Sequence, residues 1–208
     1  VGFLFTADEN FGTNQKWLVE FCAEIKKRDV LWRVGTRAKG ITPEIVEMMR
    51  DAGCSSIVFG NETGSAKMLE IMEKKVSIED NYNAFKWTLE GGLGSKVQLV
   101  LGMPGETPET INETIDFCKY TNSILKSQNP NDLSINYAQA LPGTPLYEYA
   151  RHTGLIESGM DGEEKYLLNI SDRDAHDEFT TLNFTDYPKL ICETWRPLIT
   201  VLVNKFYV

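Results

Sequence analysis

Short apolar segments of strand length alternate with amphipathic segments of helix length along the first 140 residues of the chain. The strand candidates are residues 1–5, 31–34, 56–59, 97–101 and 133–137. Parallel strands need a long crossover between them, and each intervening segment has the length and periodicity of a crossover helix. The alternation therefore predicts an α/β fold in which helices cover a parallel sheet. Five strands cannot close an eight-stranded barrel, so an open doubly wound sheet and an incomplete (β/α) barrel both fit.

Capping residues mark several of the expected helix ends. Thr-Pro pairs at 42–43 and 107–108 each place a side-chain cap before a proline at the first helical position, and Ser77 caps another helix. After the Pro-Gly-Thr-Pro segment at 142–145 the pattern loosens, and residues 156–186 are polar and acidic without a clear period.

The last part of the chain has a different character from the first. A final amphipathic helix is expected over residues 187–206, with Pro197 kinking it. This helix either packs on the open edge of the sheet or associates with a partner, and the sequence does not decide between the two. The chain then divides into a core domain, 1–155, and a C-terminal extension, 156–208.

Charge and cysteine content narrow the classes of function. With 21 Lys and Arg against 30 Asp and Glu, the net charge of -9 argues against a nucleic-acid partner. The longest apolar run, residues 198–203, is far shorter than the ~20 residues of a membrane span, and no targeting segment opens the chain. Four scattered cysteines and two histidines have no metal-ligand spacing, so the chain is expected to hold no zinc or iron–sulfur site by itself. Three of the four thiols are expected to be buried, in a protein of the reducing cytoplasm.

Acidic residues follow the carboxyl ends of the predicted strands, where ligands collect in parallel α/β folds. Asp8, Glu9, Glu62 and Glu106 are expected to surround one mouth, with Arg37 as the only basic residue there. Clustered carboxylates suit an ammonium group, ribose hydroxyls or a divalent ion, and they do not suit a phosphate. Turn geometry and helix capping also explain any one of these loops taken alone.

Five short motifs occur in order along residues 1–155. They are Asp-Glu-Asn-Phe at 8–11, Arg-Val-Gly-Thr-Arg-Ala at 33–38, Ala-Gly-Cys-Ser-Ser-Ile-Val-Phe-Gly-Asn-Glu-Thr-Gly-Ser at 52–65, Leu-Gly-Met-Pro-Gly-Glu-Thr at 101–107 and Pro-Gly-Thr-Pro-Leu-Tyr at 142–147. This set resembles the radical S-adenosylmethionine (SAM) superfamily. It is most similar to the branch that often carries an upstream cobalamin-binding domain and includes the anaerobic magnesium-protoporphyrin monomethyl ester cyclases.

The resemblance implies a partial (β/α) barrel that binds SAM beside a [4Fe–4S] cluster and generates a 5′-deoxyadenosyl radical. In such a barrel the first strand leads into a CxxxCxxC loop that ligates the cluster, and this chain contains no such loop. Residues 1–5 then form the second strand, the cluster ligands lie in a missing N-terminal portion, and the isolated chain is expected to be inert. Whether an upstream domain holds cobalamin is not decided by the resemblance. The small-molecule substrate is not decided either, since porphyrin ring cyclisation and methyl transfer to carbon are both compatible with these motifs.

The resemblance also assigns residues to SAM binding, and it assigns none to catalysis. Asp8, Glu9 and Asn10 correspond to the contact with the methionine ammonium, and Glu9 lengthens one arm relative to the usual Asp. The positions implied near the ribose, the methionyl carboxylate and the adenine are Glu62, Gly64, Ser65, Val100, Gly102, Met103 and Leu141. Arg37 either holds the SAM carboxylate or pairs with a nearby acid. Tyr137 and Tyr147 either line the opening or pack in the core.

Two other functions fit the residues without the resemblance. An ordinary α/β-barrel hydrolase or isomerase would use the acidic rim to bind a divalent metal. A non-catalytic module would use the helix at 187–206 to associate with a partner.

Overall fold

A computed structural model describes residues 2–6, 10–124, 133–171 and 182–203. It contains one sheet whose strands are β1 (Gly2–Phe5), β2 (Val30–Thr36), β3 (Cys54–Glu62), β4 (Val97–Leu101) and β5 (Leu133–Tyr137). All neighbouring strands are parallel, and their spatial order is β1-β2-β3-β4-β5. A doubly wound sheet reverses its strand order at a switch point, whereas this order is sequential. The structure therefore confirms the incomplete barrel and excludes the open doubly wound alternative.

Helices connect the strands and continue after the last one. They are α1 (Gln15–Ile25), α2 (Pro43–Asp51), α3 (Ala66–Ile71), α4 (Ile78–Glu90), α5 (Pro108–Ile124), α6 (Pro145–His152), α7 (Met160–Ser171) and α8 (Lys189–Val203). The capping predictions are confirmed at α2, where the Thr42 side chain accepts from the Ile45 N–H, and at α4, where Ser77 and Asp80 form a reciprocal capping box.

Helices α6 and α7 were not predicted. Helix α6 begins at Thr144-Pro145, the same cap-and-proline combination that starts α2, so the sequence contained the evidence for it. Helix α7 lies inside the polar 156–186 segment. Its Tyr166 is buried and hydrogen-bonds through its hydroxyl to the backbone of Ala140, which ties the helix to the loop after β5.

Each strand of the sheet has two different faces. On β2, Trp32, Val34 and Thr36 are buried towards the helices, whereas Arg33 and Gly35 alternate with them on the opposite side. The same alternation continues on β3 and β4. The helix-covered face carries the main apolar core, and Trp32 anchors it by packing with α1 and donating from Nε1 to the Ala52 carbonyl, 2.8 Å away. The opposite face is the concave side of a half-barrel.

The C-terminal helices attach to the core in two places. Helix α8 packs on α5 and β4 through Cys192, Trp195 and Ile199, all buried. Tyr137 is buried beneath it and donates its hydroxyl to the Glu193 carbonyl at 3.1 Å, so it does not line an opening. Tyr147 is also buried, in a second apolar cluster with α7. Core packing is therefore the role of both tyrosines. Among the described residues, no helix is long and apolar enough to cross a bilayer.

Candidate functional site

A cavity of about 680 Å³ opens on the concave face of the sheet. Its walls come from β1 to β4 and from the segment between α3 and α4. Its volume lies within the range of about 300–1,000 Å³ that is usual for small-molecule sites. The charged side chains that line it are Arg33, Arg37, Lys74, Lys96, Glu62 and Glu73. The apolar ones are Phe5, Val58 and Val76.

Glu62 stands at the end of β3 with its carboxylate in this cavity. The register between β3 and β4 shifts between Phe59 and Glu62, and the Glu62 backbone has a φ of 62°, in the left-handed region. A non-glycine residue in this conformation is uncommon, and such conformations concentrate at functional sites. Gly60 leaves the space that the carboxylate needs, since a Cβ there would lie 2.9 Å from Glu62 Oε1. The irregular strand end therefore aims this carboxylate into the cavity.

Lys74 pairs with Glu62, and this pair corrects the prediction of an acidic rim with Arg37 as its only basic residue. The Lys74 Nζ lies 2.5 Å from Glu62 Oε1. Glu73, just before Lys74, also has a left-handed backbone, with a φ of 52°. This turn brings a lysine that lies 12 positions beyond Glu62 back onto the β3 end. The prediction that Arg37 is the only basic residue at the mouth was wrong, because Arg33, Lys74 and Lys96 line the same cavity.

Glu106 was also expected at the mouth, and the structure buries it instead. Only 1% of its surface is exposed, and its Oε2 accepts the Gly102 N–H at 2.5 Å. Burial raises the pKa of Glu106 to about 7, against the lowering effect of hydrogen bonds from Gly102 and Met103. The carboxyl closes the turn after β4, in which Gly102 adopts a φ of +82°, so it shapes the loop and does not face the cavity.

Gly64 and Ser65 lie behind the β3 end, against α5. The Gly64 N–H donates to Thr114 Oγ1 at 3.0 Å, and a Cβ at Gly64 would lie 2.6 Å from Phe117 Cβ. Ser65 is fully buried and its N–H donates to Thr63 Oγ1. Both residues therefore fix the loop that carries Glu62, and neither lines the cavity.

The remaining predicted positions fall into two groups. Asn10 and Arg37 line the cavity together with Glu62, so the structure brings these three together. The positions implied near the adenine lie further along the sheet and do not line the cavity: Val100 and Met103 contact the second apolar cluster, Gly102 approaches Cys192, and Leu141 is half exposed. Asp8 and Glu9 lie outside the described residues.

Sequence reasoning missed Arg33, Lys96 and Gln98. Arg33 lies two residues from Gly35 on β2, and Gln98 lies two residues from Val100 on β4, so strand alternation alone would have placed each on the concave face. The prediction considered only the loops after the strands. The strands themselves also contribute polar side chains to the cavity.

The cysteines do not form a site. All four are free and buried, and burial raises the pKa of Cys22 to about 11 and of Cys54 to about 12. In the part of the chain that the structure describes, no group of three or more His, Cys, Asp or Glu could hold a metal ion. The described residues thus do not fit an iron–sulfur cluster, whose thiolate ligands must converge on one point.

Two curated proteins are similar to the chain in sequence. An uncharacterized methyltransferase of Pyrococcus horikoshii is 29% identical over 156 residues, which are 72% of this chain and 31% of that protein. The anaerobic magnesium-protoporphyrin IX monomethyl ester cyclase of Rubrivivax gelatinosus is 34% identical over 118 residues, which are 55% of this chain and 21% of that protein. The chain thus spans a third or less of the length of these relatives.

A solved structure has the same fold, and a family model covers most of the half-barrel. The radical SAM methyltransferase TsrM of Kitasatospora setae, determined with cobalamin and a [4Fe–4S] cluster bound, matches with a TM-score of 0.62 at 20% identity. The match covers 74% of this chain and 29% of that one. The model of the radical SAM superfamily matches residues 10–118, just over half of the chain. The chain therefore belongs to the radical SAM superfamily.

Proposed function

We propose that the protein containing this chain binds SAM in the concave cavity, beside a [4Fe–4S] cluster held by residues outside the chain. When bound, the reduced cluster supplies an electron that cleaves SAM to methionine and a 5′-deoxyadenosyl radical. The observation that carries the proposal is the cavity at the ends of a sequential parallel half-barrel, with Glu62 aimed into it from a left-handed backbone.

The cavity residues fit SAM in size and in chemistry. SAM carries a carboxylate, an ammonium, a sulfonium and ribose hydroxyls. Arg37 offers a bidentate donor for the carboxylate, and Glu62 offers an acceptor for hydroxyl or ammonium hydrogens. Asn10 lies on the same wall, next to Asp8 and Glu9 in sequence, and we assign these three to the ammonium group.

Two classes of reaction follow from the relatives, one of which is a methyltransferase and the other a cyclase. We infer that the whole protein performs a reaction of one of these kinds on a small molecule, with cobalamin as an additional cofactor held by another domain. Membership of the superfamily does not favour the hydrolase or isomerase alternative, and the cations in the cavity weaken the acidic rim on which that alternative rested. Four free, buried thiols are compatible with a reducing, cytoplasmic compartment.

The decisive experiment uses the full-length protein, purified anaerobically and reconstituted with iron and sulfide. After reduction with dithionite in the presence of SAM, we expect 5′-deoxyadenosine or S-adenosylhomocysteine, separated by chromatography and identified by mass. The 208-residue chain treated in the same way is the matched control, and it should take up no stoichiometric cluster and release neither product. A cluster in the chain alone, or neither product from the reconstituted full-length protein, would refute the proposal.

A further inference from the structure

Cations outnumber carboxylates among the described residues that line the cavity, although the chain as a whole carries a net charge of -9. Four cationic side chains and two carboxylates line it, and Asp8 and Glu9, which the proposed function places at the SAM ammonium, lie outside the described residues. Glu62 is already paired with Lys74. Within the described residues, Arg33, Arg37 and Lys96 form no ion pair with an acid. Since the proposed function assigns Asp8 and Glu9 to the SAM ammonium, these three cations remain available to a ligand that brings negative charge.

SAM does not supply that charge. Its ammonium and sulfonium outnumber its single carboxylate, so the molecule is a net cation near neutral pH. Its carboxylate can engage Arg37, at the end of β2. Arg33 lies on β2, four residues before Arg37, and a rise of about 3.3 Å per residue separates their Cα atoms by about 13 Å. With the SAM carboxylate bound at Arg37, Arg33 is available to a different anion.

Arg33 is held in a form that can receive a carboxylate. Its guanidinium carbon lies 4.3 Å from the centre of the Phe5 ring on the neighbouring strand. Stacking on a ring fixes the plane of the guanidinium while its N–H groups, at the edge, remain available as donors. Phe5, Val58 and Val76 add apolar wall around these donors, which suits a ligand with an apolar body.

We propose that the second ligand of this cavity, the substrate, is an apolar molecule bearing at least one carboxylate, which Arg33 and Lys96 bind. The identification of this second ligand as the substrate rests on the proposed function. The binding of an apolar carboxylate can be tested independently of it.

The test compares two probes that differ only in charge: 1-pyrenebutyrate and its uncharged carboxamide. Fluorescence titration of the full-length, reconstituted protein gives both dissociation constants, at low salt and at about 0.5 M salt, where screening weakens exposed charge pairs. We expect roughly tenfold tighter binding of the carboxylate at low salt, as for a charge-assisted hydrogen bond, and a smaller preference at high salt.

Substitutions of the cavity cations test which residues cause the preference for the carboxylate probe. Arg33→Gln and Lys96→Gln should each reduce it at least threefold, whereas Arg28→Gln and Lys16→Gln, exposed cations outside the cavity, should leave it unchanged. Equal binding of the two probes by the wild type would overturn the proposal, because the rest of the protein would then neutralise the cavity. A preference that survives both cavity variants would overturn it as well.

SAM cleavage measured on the same preparation separates this inference from the proposed function. Product formation from SAM without any carboxylate preference overturns only the present inference. A carboxylate preference that depends on Arg33 and Lys96, in a protein that does not cleave SAM, supports the present inference and refutes the proposed function.

Discussion

Replacing Glu62 by glycine separates the two roles that the structure gives this residue. A left-handed backbone costs a non-glycine residue about 1–2 kcal/mol, which glycine would recover. Glycine also loses about 0.5–1 kcal/mol more conformational entropy on folding. The ion pair with Lys74, whose side chain is 40% exposed, contributes about 0.2–1 kcal/mol. These opposing terms nearly cancel, so we expect Glu62→Gly to change the free energy of unfolding by less than about 1 kcal/mol.

Binding should respond very differently. The variant removes a charge-assisted acceptor from the cavity, a loss of about 1.5–3 kcal/mol, so SAM affinity should fall roughly 10- to 150-fold. Glu62→Ala is the matched control, since it loses the same carboxylate but keeps the strained backbone. It should bind SAM as weakly as the glycine variant and be the less stable of the two by about 0.5–1 kcal/mol.

Equilibrium dialysis with SAM and urea denaturation of the full-length variants provide the two measurements. Wild-type SAM affinity in Glu62→Gly, combined with destabilisation beyond about 2 kcal/mol, would refute the reasoning. The carboxylate would then be a structural partner of Lys74 and nothing more. A glycine variant less stable than the alanine variant would show that the left-handed conformation carries no strain.

Three further variants test the parts of the fold that position the site. Gly64→Ala should destabilise the protein by about 2 kcal/mol or more in urea titrations, because the added Cβ would collide with α5. A Cβ at Gly92 meets open space, so Gly92→Ala should cost only its backbone strain, about 1 kcal/mol. Burial raises the pKa of Glu106 to about 7, so the folded state holds this proton more tightly than the unfolded chain does. The free energy of unfolding should therefore fall as the pH rises from about 4.5 through 7. Melting curves at several pH values should show a smaller fall for Glu106→Gln than for the wild type. Ile199→Ala should cost about 2–4 kcal/mol on thermal or urea denaturation, and Leu198→Ala, on the exposed side of α8, less than about 1 kcal/mol.

Element order and most of the fold could be predicted from sequence. The strands at 97–101 and 133–137 were predicted with their observed bounds, because each is a run of strand length whose alternate residues are apolar and face the helix-covered core. Strand β3 extends three residues beyond its prediction, through Gly60 and Asn61 to Glu62. These residues have no strand propensity, and pairing with β4 rather than local preference holds them in the sheet.

The charge of the site could not be predicted, for two physical reasons. Glu106 follows a strand as Glu62 does, but left-handed glycines at 102 and 105 turn it inward to cap its own loop. Lys74 belongs to a different segment, and only the left-handed turn at Glu73 brings it to Glu62. The place of each residue directly after a strand predicted the correct end of the sheet. Which side chains face the cavity depended on backbone conformations that non-glycine residues seldom adopt.

The exposed strand β1 connects the geometry of the site to the length of the relatives. Its apolar side chains Phe3, Leu4 and Phe5 are 47–60% exposed, although strands of parallel sheets are normally covered on both faces. Phe5 is also a wall of the cavity. The radical intermediate of the proposed function must be kept away from water, and a cavity with this open wall admits water. We infer that one surface covers both the Phe5 side of β1 and the open wall of the site. Because the curated relatives are at least about three times longer than the aligned region, we infer that another part of the protein supplies it. Under the proposed function, ligand binding by the half-barrel and productive chemistry are then separable, because residues of this chain would contact the ligands and the covering segment would exclude water.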